Sequence, residues 1–194
     1  MDTSAKVLAG KDRKAPRRRG LARRFGRSEG GSVVIEFAAL IIPFAMLVFA
    51  ILESCISFAA QQVLANATDD VARQFRTGQL KPADLEERPN LVRDEICGKL
   101  EVLVSAGCPE LEIDLKAYTT FAEAAAKRIP IKGGDIDTTG FSIEPGQSGS
   151  KNQLRVFYRW PVMTDFMRKS MSNLKGGKTL LFASVTWQNE PFDD

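Results

Sequence analysis

Between Glu36 and Glu53 the chain carries sixteen residues without a single charge, 37–52, reading FAALIIPFAMLVFAIL. As a helix this run measures about 24 Å at 1.5 Å per residue. The uncharged neighbours at 33–35 and 54–60 extend it past the ~30 Å hydrocarbon core of a bilayer. A transmembrane helix over residues 32–60 is the expectation. A cleaved secretory signal fits poorly. Its apolar stretch is about 7–15 residues and a small-residue site follows it closely, whereas here the Ala65-Asn66-Ala67 triplet lies well beyond the apolar run.

The charge distribution orients that helix. Residues 1–31 hold ten Lys and Arg against Asp2, Asp12 and Glu29, a net of +7, while the rest of the chain nets −4. A basic arm can neutralise nucleic-acid phosphates. Placed directly before an apolar span, it more simply fixes a cytoplasmic N-terminus and contacts anionic lipid. No nucleic-acid partner is expected.

Glu36 at the start of the span calls for an explanation, because carboxylates in membrane helices are costly and pair with something. A free α-amino group from outside the helix is one partner; solvation at headgroup level is the milder alternative. Glu53 lies 17 positions on, about 25 Å along the axis, and reads as solvated at the opposite interface. Pro43 removes a backbone donor inside the helix and is expected to kink it.

The chain contains no His, which removes the commonest general base and metal ligand. Of three cysteines, Cys55 falls in the apolar region and reads as a small buried apolar residue. Cys97 and Cys108 are placed to form a disulfide in an oxidising compartment, a closure contributing roughly 2–3 kcal/mol.

The stretch Gly30-Gly31-Ser32-Val33-Val34-Ile35-Glu36-Phe37 resembles a prepilin-peptidase site of the type IV pilin superfamily. There a Gly precedes the cleaved bond and a Glu is the fifth mature residue, which here gives Ser32 as first residue and Glu36 as fifth. With the basic leader, Glu36-Phe37, Pro43 and Glu53, the segment looks most like the TadE- and TadF-like pseudopilins of tight-adherence (Flp) pilus systems. The larger TadG proteins carry an extra domain for which this chain lacks room. A mature chain starting with Ser instead of Phe, and Phe37 where Flp-type major pilins carry Tyr, both argue against a major pilin.

The resemblance implies a minor pilin needed for pilus assembly, processed at Gly31–Ser32. Its new amine would pair with the Glu36 of a neighbouring helix, and Glu36, Pro43 and Glu53 would serve helix assembly. It implies a bacterial inner-membrane location with the C-terminal domain periplasmic and entry into an extracellular pilus open. The partners would be the prepilin peptidase, other pilins or pseudopilins and the pilus assembly platform, a machinery akin to type II and type IV secretion. No cofactor, metal or catalysis is expected.

Beyond residue 60 the periodicity stays helical. Val63, Leu64, Ala67, Val71 and Phe75 form one stripe, and Gly78 with Pro82 beyond marks the helix end. A second helix is expected over 91–105 with Asn90 as N-cap, and strands over 111–115, 153–160 and 179–187. A short helix is expected over 164–174, and a loop over 132–150 with a short strand near 141–143. The fold class is α+β: a long N-terminal helix, half transmembrane and half amphipathic, packed on a small antiparallel sheet as in pilins. The domains are a cleaved leader at 1–31, the span at 32–60 and an extracytoplasmic domain at 61–194.

Three motifs fail on context. Gly26-Arg-Ser-Glu-Gly30 spells the hydrolase pattern G-x-S-x-G without a His or a strand-turn-helix setting. Gly177-Lys178-Thr179 lacks the first glycine of a phosphate loop and reads as a hairpin turn. Asp135, Asp137 and Glu144 match no calcium loop. The alternative to a processed pilin is a permanently membrane-anchored extracytoplasmic binding or scaffold protein that keeps its leader. An anchored enzyme is the weakest reading.

Overall fold

The computed structural model describes residues 29–192; residues 1–28 of the expected leader, with most of the G-x-S-x-G match, lie outside the described residues. The chain divides into two compact units, the first ending at Met46 and the second starting at Leu47.

Helix α1 (Glu29–Arg76) is 48 residues long and runs through Pro43 without interruption. It begins three residues before the expected Ser32 and ends at Arg76, two residues before Gly78. Gly78 closes it at φ 72°, and a Cβ there would overlap the ring of Phe192, so both conformation and space call for glycine.

The helix α2 (Pro82–Glu87) was not expected. Pro82, read as a residue beyond a helix end, instead occupies a first-turn position, where its missing N–H costs nothing. The Lys81 N–H donates to Asp84 Oδ2 at 2.7 Å and fixes the start. The helix α3 (Leu91–Leu100) stops five residues before the expected Ser105, and the Asn90 side chain makes no cap hydrogen bond. The earlier end leaves 101–107 free to turn, so that Cys108 returns to within 5.8 Å of Cys97 between Cα atoms. Continued to 105, the helix would have carried the chain about 12 Å past Cys97.

Then follow β1 (Leu111–Tyr118), α4 (Phe121–Ala125), β2 (Ile131–Lys132), β3 (Asp135–Ile136), β4 (Ile143–Glu144), β5 (Lys151–Pro161), α5 (Asp165–Met171) and β6 (Lys178–Gln188). Thr120 caps α4, its hydroxyl accepting from the Glu123 N–H at 3.2 Å. The main sheet has the order β4-β1-β5-β6, with a separate β2-β3 pair. The expected antiparallel sheet is in fact mixed. β1 pairs antiparallel with β5 and β5 with β6, but β4 joins β1 in parallel, Leu115 against Ile143. The long connection between β1 and β4 lets the chain re-enter the sheet in the same direction.

Register assigns the faces. Leu111, Ile113 and Leu115 of β1 stand opposite Tyr158, Val156 and Leu154 of β5, which stand opposite Leu181, Ala183 and Val185 of β6. These pack with Ala60, Leu64, Ala67, Val71 and Phe75 of α1 and with Val92, Ile96 and Leu100 of α3 in one core. The helical stripe expected from periodicity is therefore the stripe that the sheet covers. On the other face Phe157 stacks on Phe141 with centroids 5.2 Å apart and meets Phe182 at 5.0 Å. Because both faces are covered, β5 is buried continuously from Asn152 to Tyr158.

Candidate functional site

The expected processing residues all lie at the start of α1. Gly31 and Ser32 fall in its first turn, Glu36 is exposed, and Phe37 is 64 % exposed. From Val33 to Leu52 no side chain of α1 is buried, and every large apolar side chain in that stretch faces outward. Twenty helical residues span about 30 Å, the thickness of a hydrocarbon core. Among the described residues α1 is the one helix long and apolar enough to cross a membrane. Cys55 is exposed and free, not buried as expected, because its position on α1 is turned away from the sheet.

Burial on α1 begins at Glu53, and there the structure corrects the sequence reading. Glu53 is only 8 % exposed, not solvated. Its Oε1 accepts the Met163 N–H and its Oε2 accepts the Thr164 hydroxyl. The Thr164 N–H lies 3.3 Å from both oxygens. One carboxylate thus satisfies the backbone where β5 leaves the sheet and α5 begins. Hydrogen bonds to an ionised acceptor are each worth more than neutral ones, about 1.5–3 kcal/mol. One turn on, Ser57 is also buried. Two turns on, Gln61 donates from Nε2 to the Phe182 carbonyl at 2.9 Å and accepts the Phe182 N–H at 3.2 Å. A side-chain amide here takes the place of a neighbouring strand at the open edge of β6, which would otherwise offer both groups to another chain.

Cys97 and Cys108 are joined, as the sequence led one to expect. The Glu101 carboxylate stands beside the pair and accepts the Gly107 N–H at 2.8 Å. With both sulfurs bonded to each other, no thiolate is left there for a metal. Arg93 tethers the same corner, donating to the carbonyls of Leu111 at 2.8 Å and Cys108 at 2.6 Å.

On the sheet face away from α1, Asp114 is 1 % exposed and bonds Arg155 directly across the β1–β5 ladder, at 3.1 Å from Nε and 2.5 Å from Nη2. Arg159 bonds Glu112 at 3.0 Å and Asp135 at 2.9 Å. The Arg159 guanidinium, with the Ile136 N–H, holds the Asp135 carboxyl below its usual range. Asp135 is therefore engaged in an ion pair, Asp137 caps the Thr139 N–H at 3.0 Å, and Glu144 lies in the edge strand β4. Gly176 and Gly177, at φ 74° and 70°, form the turn into β6, and Lys178 and Thr179 are the first residues of that strand, so Gly177-Lys178-Thr179 is the end of a turn entering a strand and not a phosphate loop.

The structure thus brings Cys97 to Cys108 and sets Gly31, Ser32, Glu36 and Phe37 on consecutive turns. Glu53 is placed with Met163 and Thr164, two residues that the sequence analysis did not single out. A contact across 110 residues leaves no local trace in sequence. The buried pair Asp114–Arg155 was missed for the same reason, although two charged residues within strand patterns were a visible signal.

No curated protein and no solved structure matches the chain. Residues 31–73 match the family model described as TadE-like protein. The match starts at Gly31, takes in Glu36, Pro43 and Glu53, and ends within α1, so it covers the apolar half of that helix and much of the half that packs on the sheet. Over residues 31–73, and there alone, the chain is similar to TadE-like proteins.

Proposed function

We propose that this chain is a minor pilin or pseudopilin needed to assemble a Flp-type pilus, cut by a prepilin peptidase after Gly31. The observation that carries the reading is the coincidence of the TadE-like match, residues 31–73, with one continuous helix whose first twenty matched side chains from Val33 are unburied. Such a helix serves as a membrane anchor and then as the packing core of an assembly, since both need an apolar surface on all sides.

The local chemistry agrees. Gly30 and Gly31 occupy the first helical turn, where the backbone N–H groups lack intrahelical partners and glycine adds little helix preference of its own. The bond after Gly31 is thus in the part of α1 that unwinds most readily into the extended form a peptidase takes. Cutting there frees an amine at Ser32, four residues before Glu36. The amine of one chain and the Glu36 carboxylate of another then neutralise each other inside the apolar core, where either charge alone is costly. The cut also removes the basic leader that resists extraction from the bilayer. The working partners are the inner membrane, the peptidase, other pilins and the assembly platform, and the chain itself carries out no catalysis.

Complementation tests the role. In cells lacking the chain, wild type is expected to restore surface pili and Glu36→Ala or Glu36→Lys to fail, with both variants accumulating in the membrane. Full piliation by Glu36→Lys would overturn the pairing and favour a permanently anchored scaffold.

A further inference from the structure

We infer that the β5–β6 connection, residues 162–177, is a membrane-surface element that seats the folded body on an anionic bilayer. The inference rests on the reading of residues 33–52 as the membrane span. Thr164 at the start of α5 is bonded to Glu53, the residue that directly follows the apolar span. At the other end of α5, the Met171 sulfur lies 3.9 Å from the Ser54 hydroxyl. Both ends of this short helix therefore meet α1 at neighbouring positions, 53 and 54. These differ by about 1.5 Å along the axis, so α5 lies across α1 at the level where the span emerges and not along it.

What the connection presents at that level fits an interface. Met163 is 72 % and Phe166 66 % exposed. Beside Met163 an apolar groove of about 220 Å³ opens between Phe49, Leu52, Ile56 and Trp160. From 162 to 178 there are four basic residues, Arg168, Lys169, Lys175 and Lys178, against Asp165 alone. Arg168 pairs with Asp165 and Lys178 with Glu110. Lys169 and Lys175 are exposed and have no ion pair among the described residues. Exposed apolar side chains interleaved with unpaired lysines are the composition of elements that lie in the headgroup region, and each lysine near an anionic surface adds attraction. A protein partner would be matched to one sign of charge and one shape, whereas this surface joins directly to a segment already committed to lipid.

The test uses the full chain in nanodiscs holding one copy each, with Cys55→Ser so that an introduced cysteine is the single free thiol. A fluorophore is placed at Met163→Cys, Phe166→Cys, Ile42→Cys or Gln188→Cys and quenched by lipids labelled near the headgroup or near the chain end. Gln188 is the reference because it ends β6 ten residues from Lys178, about 33 Å along the strand. Labels at 163 and 166 are expected to be quenched from the headgroup region, the label at 42 from the chain end, and the label at 188 from neither. Lys169→Glu with Lys175→Glu should abolish the gain in quenching at 163 and 166 that phosphatidylglycerol gives over phosphatidylcholine, leaving position 42 unchanged. Labels at 163 and 166 that behave like 188 while 42 is quenched would overturn the inference and leave the span intact. Failure at 42 as well would bring down the spanning helix itself. Shielding at 163 and 166 that appears only with several copies per disc would assign the surface to a protein contact instead, and an unchanged lipid preference in the double-lysine variant would refute the headgroup attraction.

Discussion

Glu53→Gln is the perturbation that most sharply probes how the helix is fastened to the sheet. The carboxylate takes the Met163 N–H, the Thr164 N–H and the Thr164 hydroxyl. The amide keeps the shape and one good acceptor oxygen, but loses the charge and turns an NH2 toward a donor. If two charge-assisted bonds of about 2 kcal/mol each fall to about 1 kcal/mol, the loss is roughly 2 kcal/mol. Glu53→Ala takes the acceptor from two part-buried backbone donors, at about 1–3 kcal/mol each, so up to roughly 4 kcal/mol. The effect should be local, and hydrogen exchange of the Met163 and Thr164 amides reads it directly. With tenfold per 1.4 kcal/mol, exchange at these amides should rise about 30-fold in the Gln variant and up to about a thousandfold in the Ala variant. Amides in the β5–β6 ladder should hold their protection. Exchange at 163 and 164 within about twofold of wild type would refute the reasoning, since these bonds would then contribute nothing to local closure. An equal rise across β5 and β6 would also refute it, by showing that Glu53 supports the whole domain and not the clasp.

Other parts of the structure are open to the same treatment. Removing the Cys97–Cys108 bond by Ser substitution should cost about 3 kcal/mol by loop entropy, read as a lower urea midpoint of the detergent-solubilised chain; an unchanged midpoint would deny the bridge a stabilising role. Arg155→Met strands the buried Asp114 carboxylate with Lys116, 3.3 Å away, as its remaining ion-pair partner, and should cost about 3–5 kcal/mol. Restoring stability by adding Asp114→Leu in a double variant would confirm that the stranded charge was the cause. The Asp135 carboxyl is held low by Arg159. Its contribution is therefore present above the unfolded value near 4 and is lost as pH falls through the folded one. Asp135→Asn should flatten that part of the stability–pH curve below about pH 4, and an unaltered acid limb would contradict the pairing.

The elements that could be read from sequence are those whose cause is local. An uncharged run of sixteen residues, a stripe at Leu64, Ala67, Val71 and Phe75, and a glycine at 78 dictate α1 without help from the rest of the chain. Alternation at Leu154, Val156 and Tyr158 dictates β5 in the same way. What stayed hidden was set by distant partners. Pro82 ends one helix and starts another with equal ease, and its role is settled by Leu80 and Leu85 packing into the core. The helix α3 has the pattern to continue past Leu100, but the bond to Cys108 requires the chain to turn. The parallel entry of β4 has two residues of strand to announce it. Glu53 illustrates the limit best. A carboxylate one step beyond an apolar span is ordinarily solvated, and only the return of Met163 and Thr164 makes it a buried acceptor.

The central claim is that the chain is cut between Gly31 and Ser32 before it functions. Intact-mass and N-terminal peptide analysis of the membrane-extracted protein, from cells with and without the prepilin peptidase, tests it most directly. The account predicts a mature chain beginning at Ser32 when the peptidase is present and an uncut Gly31–Ser32 bond when it is absent. A protein that keeps its basic leader in both strains, or one cut near Ala67, would contradict it and leave a membrane-anchored or secreted binding domain.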